Sequence, residues 1–331
     1  MGKVGPSNVI TISPKRLQSI GVTYEKVQSH KIDKIIRTVG RVEADERLLA
    51  NIHVKFEGWI DKLFVNYTGE KVKKGQPLFS VYSPELVATQ QEFLLALRAR
   101  SVLGAQSAED AAYQRLRFWD VPSQEIQRLT RTGKASKTIT IYSPISGTVL
   151  EKTALQGMRI VPDNKLYTIA DLSHLWILAD IYEYELPFIR KGQEAQITLT
   201  YLPQKIFKAK IIFIDPVVNM QTRTVRVRFE TENRDNQLKP GMYSNVELKI
   251  PLGNRLVVPK DAIIITGERA IVFIYHGNGK LEWRTVKLGV RSGDNIEILQ
   301  GIKVGEVIIT SANFLIDSES QLKAAMGGMQ H

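Results

Sequence analysis

Apolar and polar residues alternate with a two-residue period through most of the chain, as in β-strands that bury one face. The clearest alternation runs from Ile52 to Val65 and is followed by glycines at 69 and 75. Shorter alternating runs, separated by glycine and proline, occupy residues 8–50 and most of the chain beyond residue 170. The pattern predicts a mainly β protein, with strands and turns in all three regions.

One segment departs from this pattern. Pro84–Leu103 contains neither glycine nor a second proline, and its apolar residues recur every three to four positions. This spacing predicts an amphipathic helix with Ser83 as its N-cap. Two shorter helices are expected over residues 107–119 and 122–133, so the segment forms a helical insertion. A further short helical stretch is predicted for residues 312–325.

A repeated spacing brackets the helical insertion. The first copy has Gly58, Gly69 and Leu78, and the second copy, after the insertion, has Gly147, Gly157 and Leu166. Because each copy would form half of a flattened sandwich with an exposed apolar face, the two halves must meet in space. The repeat therefore predicts one β-domain cut in two, with helices that leave and re-enter it side by side.

Composition excludes several classes of function. The chain has no cysteine, which rules out disulfides, zinc–thiolate sites and thiol catalysis. Its net charge is +11, but the basic residues are scattered among acidic ones without a basic stripe, so we expect no nucleic-acid partner. No apolar run approaches the roughly 20 residues of a membrane span. The first residues lack the apolar core of a signal peptide, and we expect any export signal to have been removed.

Taken together, these features resemble the periplasmic adaptor, or membrane-fusion, proteins of resistance-nodulation-division (RND) efflux pumps. The similarity is greatest to the heavy-metal branch, typified by copper and silver export, and covers nearly the whole chain. The segments that carry it are Phe56 to Ile60, Ser83 to Leu86, Gln90 to Leu94, Tyr142 to Gly147, Ala170 to Trp176, Asp215-Pro216, Thr222 to Thr224, Leu238 to Met242, and Ala312 to Glu319.

The resemblance implies a mainly β fold with a helical insertion, arranged as an elongated four-domain adaptor. On this basis the domains are a membrane-proximal β domain (8–34 plus 254–318), a β-barrel (35–48 plus 172–253), a lipoyl-like split sandwich (49–83 plus 136–171) and a short α-helical domain (84–135), with tails at 1–7 and 319–331. Since the insertion has only about fifty residues, we expect a short compact helical tip rather than a long two-helix hairpin.

The resemblance also implies a function without catalysis. The expected partners are an inner-membrane RND pump, an outer-membrane channel protein and further copies of the chain in a ring, expected to be a hexamer. The expected location is the periplasm, in association with the inner membrane, and the expected cargo is heavy-metal ions, with copper or silver first. One alternative is an adaptor for drugs or other organic solutes.

A second alternative is the lipoyl or biotin carrier subunit of an enzyme. Such a carrier has its modifiable lysine at the tip of the hairpin that joins the two halves, and here the helices occupy that place. Four lysines, Lys62, Lys71, Lys73 and Lys74, lie within the first half instead, where solvated lysines of strands and turns are the simpler interpretation.

Two groups of residues are candidates for partner contacts. The helical turn at the expected tip is the channel-docking candidate and consists of Ser101, Val102, Leu103, Gly104 and Ala105. The arginines Arg223, Arg226 and Arg228 of a predicted barrel strand are the pump-contact candidates. The alternatives are a plain connection for the turn, and charge carried outward for solubility for the arginines.

No resident cofactor is expected. Transient binding of Cu(I), Ag(I) or Zn(II) is an expectation. Members of the copper branch commonly carry metal-binding methionines near the N-terminus, but none lies between Met1 and Met158 here. At the C-terminus Met326, Met329 and His331 offer ligands that suit soft ions, unless the methionines of this tail occur by chance. His276 and Glu282 could meet across a hairpin and hold zinc, with an ordinary exposed pair as the alternative.

Overall fold

The computed structural model describes residues 9–103, 106–267 and 269–311, without the side chains of residues 100–103, 106, 107 and 266. The chain divides into unit 1, formed by Met1–Arg37 and Glu247–His331, and unit 2, formed by Thr38–Val246. Strands predominate in the described parts of both units, and the long helices described lie within the insertion of unit 2. The predicted mainly β fold with a helical insertion is confirmed.

Twenty-one strands and four α-helices follow one another along the described parts of the chain. The strands are β1 (Val9–Thr11), β2 (Tyr24–Lys26), β3 (Gln28–Ala44), β4 (Leu49–Ile52), β5 (Gly58–Leu63), β6 (Lys71–Val72), β7 (Pro77–Tyr82), β8 (Thr138–Tyr142), β9 (Gly147–Lys152), β10 (Arg159–Ile160), β11 (Tyr167–Ala170), β12 (His174–Tyr182), β13 (Glu194–Leu199), β14 (Leu202–Asn219), β15 (Thr224–Glu232), β16 (Tyr243–Pro259), β17 (Ile264–Thr266), β18 (Arg269–Tyr275), β19 (Lys280–Ser292), β20 (Asn295–Gln300) and β21 (Val307–Ile309). The α-helices are α1 (Pro14–Ser19), α2 (Pro84–Leu103), α3 (Gln106–Phe118) and α4 (Ser123–Thr132), and 3-10 turns span Glu46–Leu48, Glu183–Phe188 and Lys260–Ala262.

The two repeated segments of unit 2 form one sandwich of two four-stranded sheets. The strand orders are β10-β5-β7-β8 and β4-β11-β9-β6. The short strand β6 of the first copy pairs with β9 of the second, and β10 of the second copy pairs with β5 of the first. Because each copy completes a sheet of the other, neither half has a finished core alone, and the predicted split sandwich is confirmed.

The repeated glycines have two different roles in this sandwich. Gly69 and Gly157 have φ angles of 87° and 79°, and their N–H groups donate to carbonyls of the opposite copy. Gly58 and Gly147 instead permit close backbone approach, because a Cβ at Gly147 would lie 2.3 Å from the carbonyl oxygen of Ala170. The sequence pattern predicts the turns but does not reveal this second role.

The helical insertion starts and ends as predicted. The backbone N–H of Leu86 donates to Ser83 Oγ at 3.3 Å, so Ser83 caps α2. The buried amide of Gln90 bonds both backbone groups of Ser136, at 3.2 and 2.9 Å, and so ties the returning chain to the first helix. At the other end Gly133, with φ of 62°, terminates α4. Entry and exit of the insertion therefore lie side by side.

A six-stranded barrel forms the rest of unit 2. The strand order is β13-β14-β15-β12-β3-β16, and pairing of β13 with β16 closes it. In β15 the side chains of Val225, Val227 and Phe229 are buried, whereas Arg226 is exposed and Arg228 half-buried. The alternation predicted for this strand is confirmed, and its arginines face outward.

Unit 1 is a β-domain whose strands follow the order β16-β20-β19-β18-β21-β2, with β1 on β19 and β17 on β18. Strands β3 and β16 contribute residues to both units. The hairpin predicted between His276 and Glu282 turns at Gly277–Gly279 and joins β18 to β19, and Gly279 O accepts from Ile12 N at 2.9 Å. A Cβ at Gly279 would lie 1.9 Å from the oxygen of Ile12, so this close contact requires glycine.

One expectation was wrong in detail. Residues 8–50 were predicted to hold only strands and turns, but α1 lies at Pro14–Ser19, with Leu17 buried. The helix has less than two full turns, so a single apolar residue is enough for its buried side and no periodicity is visible. The helix predicted for 312–325 lies outside the described residues, and the domain boundaries stay predictions.

Candidate functional site

The connection between the two halves of the sandwich contains the three helices α2, α3 and α4, between β7 and β8. A carrier domain would have a short hairpin with a lysine at this place. Lys71 lies in β6, and Lys73 and Lys74 precede the turn at Gly75, where Lys74 N donates to Ser146 Oγ at 2.9 Å. These lysines therefore belong to the edge of the sandwich and not to the connection between its halves.

The three candidate arginines of the barrel differ in their surroundings. Arg223 has a φ of 53°, which is unusual for a residue other than glycine, asparagine or aspartate, and its side chain lies 3.7 Å from Glu183. Arg226 lies 3.4 Å from Asp180 on the neighbouring strand. Both side chains are more than half exposed, so these weak ion pairs leave them accessible.

Arg228 packs against two aromatic rings of the barrel. Its guanidinium carbon is 3.9 Å from the centroid of the Trp176 ring and 5.6 Å from that of Phe213, while its Nε is buried without a hydrogen-bond partner. A guanidinium held over an indole in this way packs and covers the ring. The structure thus separates Arg228 from the two exposed arginines, and the role of all three in pump contact stays a prediction.

The predicted docking tip is only partly described. Ser101, Val102 and Leu103 form the last residues of α2, of which the backbone alone is described, and Gly104 and Ala105 lie outside the described residues. The C-terminal metal candidates Met326, Met329 and His331 also lie outside them. Both groups stay predictions.

His276 and Glu282 do meet, with Nε2 and Oε2 2.8 Å apart. Arg284 bonds both oxygens of the same carboxylate, at 3.0 and 2.9 Å, and also bonds Glu306. The hydrogen bond from His276 is the largest cause that lowers the pKa of Glu282, with Arg284 adding to it. Because the arginine occupies the carboxylate that zinc would need, this is an ion-pair network. Within the described ranges, no three histidine, aspartate or glutamate side chains are grouped to hold a metal.

The sequence did not single out a polar cluster where barrel and sandwich join. Its residues are Asp45, Arg47, Trp176 and Glu230, together with Asn233, which follows β15 and bonds Leu172 between β11 and β12. The acid of this cluster, Asp45, has a side chain only 1% exposed. The short sequence Asp-x-Arg at the end of a predicted strand was the available signal, because a buried carboxylate needs a neighbouring cation.

Three segments of the chain match known protein families, in the order expected for the fold. Residues 49–170 match the "CusB, barrel-sandwich hybrid domain", residues 174–251 the "CusB-like, beta-barrel domain", and residues 256–317 the "CzcB C-terminal circularly permuted SH3-like domain". Together the matches cover most of the chain.

Known proteins resemble the chain over almost its full length. The putative membrane fusion protein SilB of Salmonella typhimurium is 29% identical over 98% of this chain and 75% of its own. The cation efflux system protein CusB of Escherichia coli K12 is 28% identical over 97% of this chain and 78% of its own. A crystal structure of MacA from Actinobacillus actinomycetemcomitans shares the fold, with a TM-score of 0.57 and 22% identity over 87% of this chain and 99% of that one.

The split sandwich with its helices, the closed barrel and these matches define a membrane fusion protein, the class of periplasmic adaptors in efflux systems. Within that class, the chain belongs to the adaptors of heavy-metal RND efflux pumps. Adaptors of RND pumps partner with an inner-membrane transporter and an outer-membrane channel. In the described part of the chain, no helix is both long and apolar enough to cross a membrane.

Proposed function

We propose that this protein is the non-enzymatic adaptor through which an inner-membrane RND transporter passes heavy-metal ions to an outer-membrane channel. The observation that carries the proposal is the sandwich whose connecting hairpin is replaced by α2, α3 and α4. A helical extension in that place suits a scaffold that reaches a partner, whereas a swinging carrier arm requires a lysine there.

Copper and silver are the proposed cargo. The sandwich and barrel both match domains of the CusB type, and the relative CusB is a cation efflux protein. Soft thioether ligands, such as Met326 and Met329, favour Cu(I) and Ag(I) over harder ions. Zinc is the main competitor, and in the described residues the pair that could serve it, His276 and Glu282, is held by Arg284.

The proposal includes the assembly and the location. Several copies form a ring, proposed to be a hexamer, at the periplasmic side of the inner membrane. The candidate contacts are Arg223 and Arg226 toward the pump and the turn at 101–105 toward the channel. Support comes from the exposure of the two arginines and from the position of the turn between the two longest helices.

Metal accumulation in the native host tests the cargo. Deletion of the gene is expected to raise cellular copper and silver, measured by mass spectrometry after exposure to each metal, with restoration by the full chain. A chain that ends at Ala325 lacks Met326, Met329 and His331. It should lose metal binding by this tail but keep export, because only metal binding needs these three residues. Accumulation of zinc, cobalt or cadmium alone would replace copper and silver as the cargo, and sensitivity to organic compounds without any metal effect would contradict metal export.

A further inference from the structure

Two chain connections join the sandwich to the barrel within unit 2. Residues 45–48 connect β3 to β4, and residues 171–173 connect β11 to β12. Two domains joined only by short connections move relative to each other unless specific contacts prevent it. Here the backbone N–H of Asp171 donates to the carbonyl of Leu48 at 3.1 Å, so the two connections also bond to each other.

The first connection contains a buried carboxylate paired with an arginine. Asp45 accepts a hydrogen bond from the backbone N–H of Arg47 at 2.9 Å, and two from its guanidinium, at 2.9 Å from Nε and 2.6 Å from Nη2. The Asp45 side chain is only 1% exposed. Removal of Arg47 would leave the negative charge of Asp45 buried without this partner. In an exposed ion pair, by contrast, water would solvate the remaining charge.

The same arginine reaches the barrel. Its Nη2 also bonds Glu230 on β15, and its guanidinium carbon lies 5.5 Å from the centroid of Trp176 on β12. Trp176 is 4% exposed and is covered from β15 by Arg228. One side chain, anchored in the connection to the sandwich, therefore contacts two adjacent barrel strands.

The second connection is held by Asn233, which is 3% exposed. Its Nδ2 donates to the carbonyls of Leu172 and Leu238, both at 2.9 Å, and its Oδ1 accepts from the N–H of Leu238 at 3.0 Å. Its backbone N–H donates to the carbonyl of Ser173 at 2.7 Å. The bonds to Leu172 and Ser173 fasten the connection to the barrel, and the two bonds to Leu238 hold the Asn233 side chain in place.

We propose that Asp45, Arg47, Glu230 and Asn233 form a joint latch that fixes the direction in which the sandwich, with its helices, leaves the barrel. Arg47 is the positioning residue, because it alone of the four links the connection to two barrel strands by its side chain. A fixed direction lets the helical end meet its partner without the entropy cost of ordering the joint first. The importance of the latch for export rests on the proposed function, whereas the fixed orientation does not.

A distance measurement between the two domains tests the latch directly. The chain has no cysteine, so the changes Asp163→Cys in a sandwich loop and Lys191→Cys in a barrel turn give a unique pair of spin-label sites, both exposed. Pulsed electron paramagnetic resonance on the full chain is expected to give a narrow distance distribution. With Arg47→Gln in addition, the distribution is expected to broaden.

The matched control is Arg159→Gln. It breaks an exposed ion pair with Glu57, both of whose residues belong to the sandwich, and should leave the distance distribution narrow. Glu230→Gln keeps the Asp45–Arg47 pair and the contact of Arg47 with Trp176, and it removes only the charge of the contact with β15. It should therefore broaden the distribution less than Arg47→Gln. It also keeps the test decisive if Arg47→Gln fails to fold. Distributions as narrow as the parent's in every folded latch variant would overturn the proposal.

Export measured with the same variants separates the latch from the proposed function. Arg47→Gln is expected to reduce copper and silver export at unchanged protein level, while Arg159→Gln is not. A broadened distribution with full export would overturn the positioning role of Arg47. No metal phenotype on deletion of the whole gene would count against the proposed function, and the distance result would still decide whether the latch exists.

Discussion

The sandwich and the joint below it are stabilised by different forces. In the sandwich, Phe79 and Tyr167 are fully buried and stack with ring centroids 5.7 Å apart. In the joint, Asp45 and Asn233 are buried polar groups whose partners are charges and carbonyls. Apolar contacts are non-directional and require only that the surfaces fit together. Hydrogen bonds require particular distances and angles and therefore fix a geometry.

This difference indicates that the sandwich provides stability and that the joint fixes orientation. The sandwich must remain folded around the base of the helices, and its interlocked halves provide that stability. The joint must hold one orientation, and its polar contacts do so at little net gain in stability, because the cost of burying the Asp45 carboxylate offsets much of its attraction to the exposed Arg47. Mutations in the sandwich should therefore affect the unfolding free energy alone, whereas mutations in the joint should also affect domain orientation.

The largest effect on stability is expected from Phe79→Ala in the sandwich core. Loss of a fully buried phenylalanine that stacks on Tyr167 should lower the unfolding free energy by about 3–5 kcal/mol. Phe118→Ala is the matched control, because that ring is 72% exposed on α3 and should change stability little. Urea unfolding followed by circular dichroism measures both variants. Equal losses of unfolding free energy would contradict stabilisation by apolar packing between the sandwich halves.

Gly147→Ala tests a close backbone approach within the second copy of the repeat. The added Cβ would lie 2.3 Å from the backbone oxygen of Ala170, so the strands must separate, at a cost of about 1–3 kcal/mol. Gly58→Ala meets the oxygen of Tyr82 at 2.5 Å in the equivalent place and should cost a similar amount. Thermal unfolding compares the two, and a neutral result for both would show that the repeated glycines serve only as turn residues.

Tyr167→Phe removes one polar contact across the sandwich. Tyr167 Oη donates to the carbonyl of Val65 at 2.8 Å, and burial raises the pKa of the hydroxyl to about 12. The variant leaves a buried carbonyl unsatisfied, which should cost about 1–2 kcal/mol. Tyr67→Phe, on a ring 64% exposed, is the control. A loss no greater than that of the control would show that solvent or another donor satisfies Val65.

The smallest effect on stability is a dependence on pH in the joint. Burial raises the pKa of Asp45, but hydrogen bonds and charge from Arg47, with a smaller contribution from His174, outweigh it, and the pKa lies below its ordinary value. The stabilising contribution is therefore present above the unfolded pKa of about 3.9 and is lost as pH falls through the lower folded pKa. The spin-label distance distribution should remain narrow from pH 8 to 5 and broaden only at lower pH. Broadening between pH 8 and 5 would contradict the role of the Asp45–Arg47 pair in the latch.

Much of the fold could be predicted from the sequence because its signals are local. The Ser83 cap, the glycine spacing and the alternation of β15 each reflect the conformation of a few adjacent residues. The joint could not be predicted in the same way. Arg47 and Glu230 are 183 positions apart, and Asn233 is 61 from Leu172, so their meeting depends on how barrel and sandwich strands are arranged.

The candidate sites were predictable to a different degree. The outward direction of Arg226 and Arg228 follows from strand alternation, but that Arg228 covers Trp176 depends on the cross-strand register. His276 and Glu282 meet as the hairpin predicts, yet Arg284, two residues further along, determines what they do. Sequence spacing thus indicates which side chains can meet, and the third partner decides the chemistry.

Affinity purification of the full chain from membranes of its native host, after mild cross-linking, tests the central claim most directly. An adaptor is expected to bring down an inner-membrane transporter together with an outer-membrane channel, and its intact mass should show no modification of Lys62, Lys71, Lys73 or Lys74. Recovery of a soluble enzyme complex instead, with a lipoyl or biotinyl adduct on one of these lysines, would contradict the account.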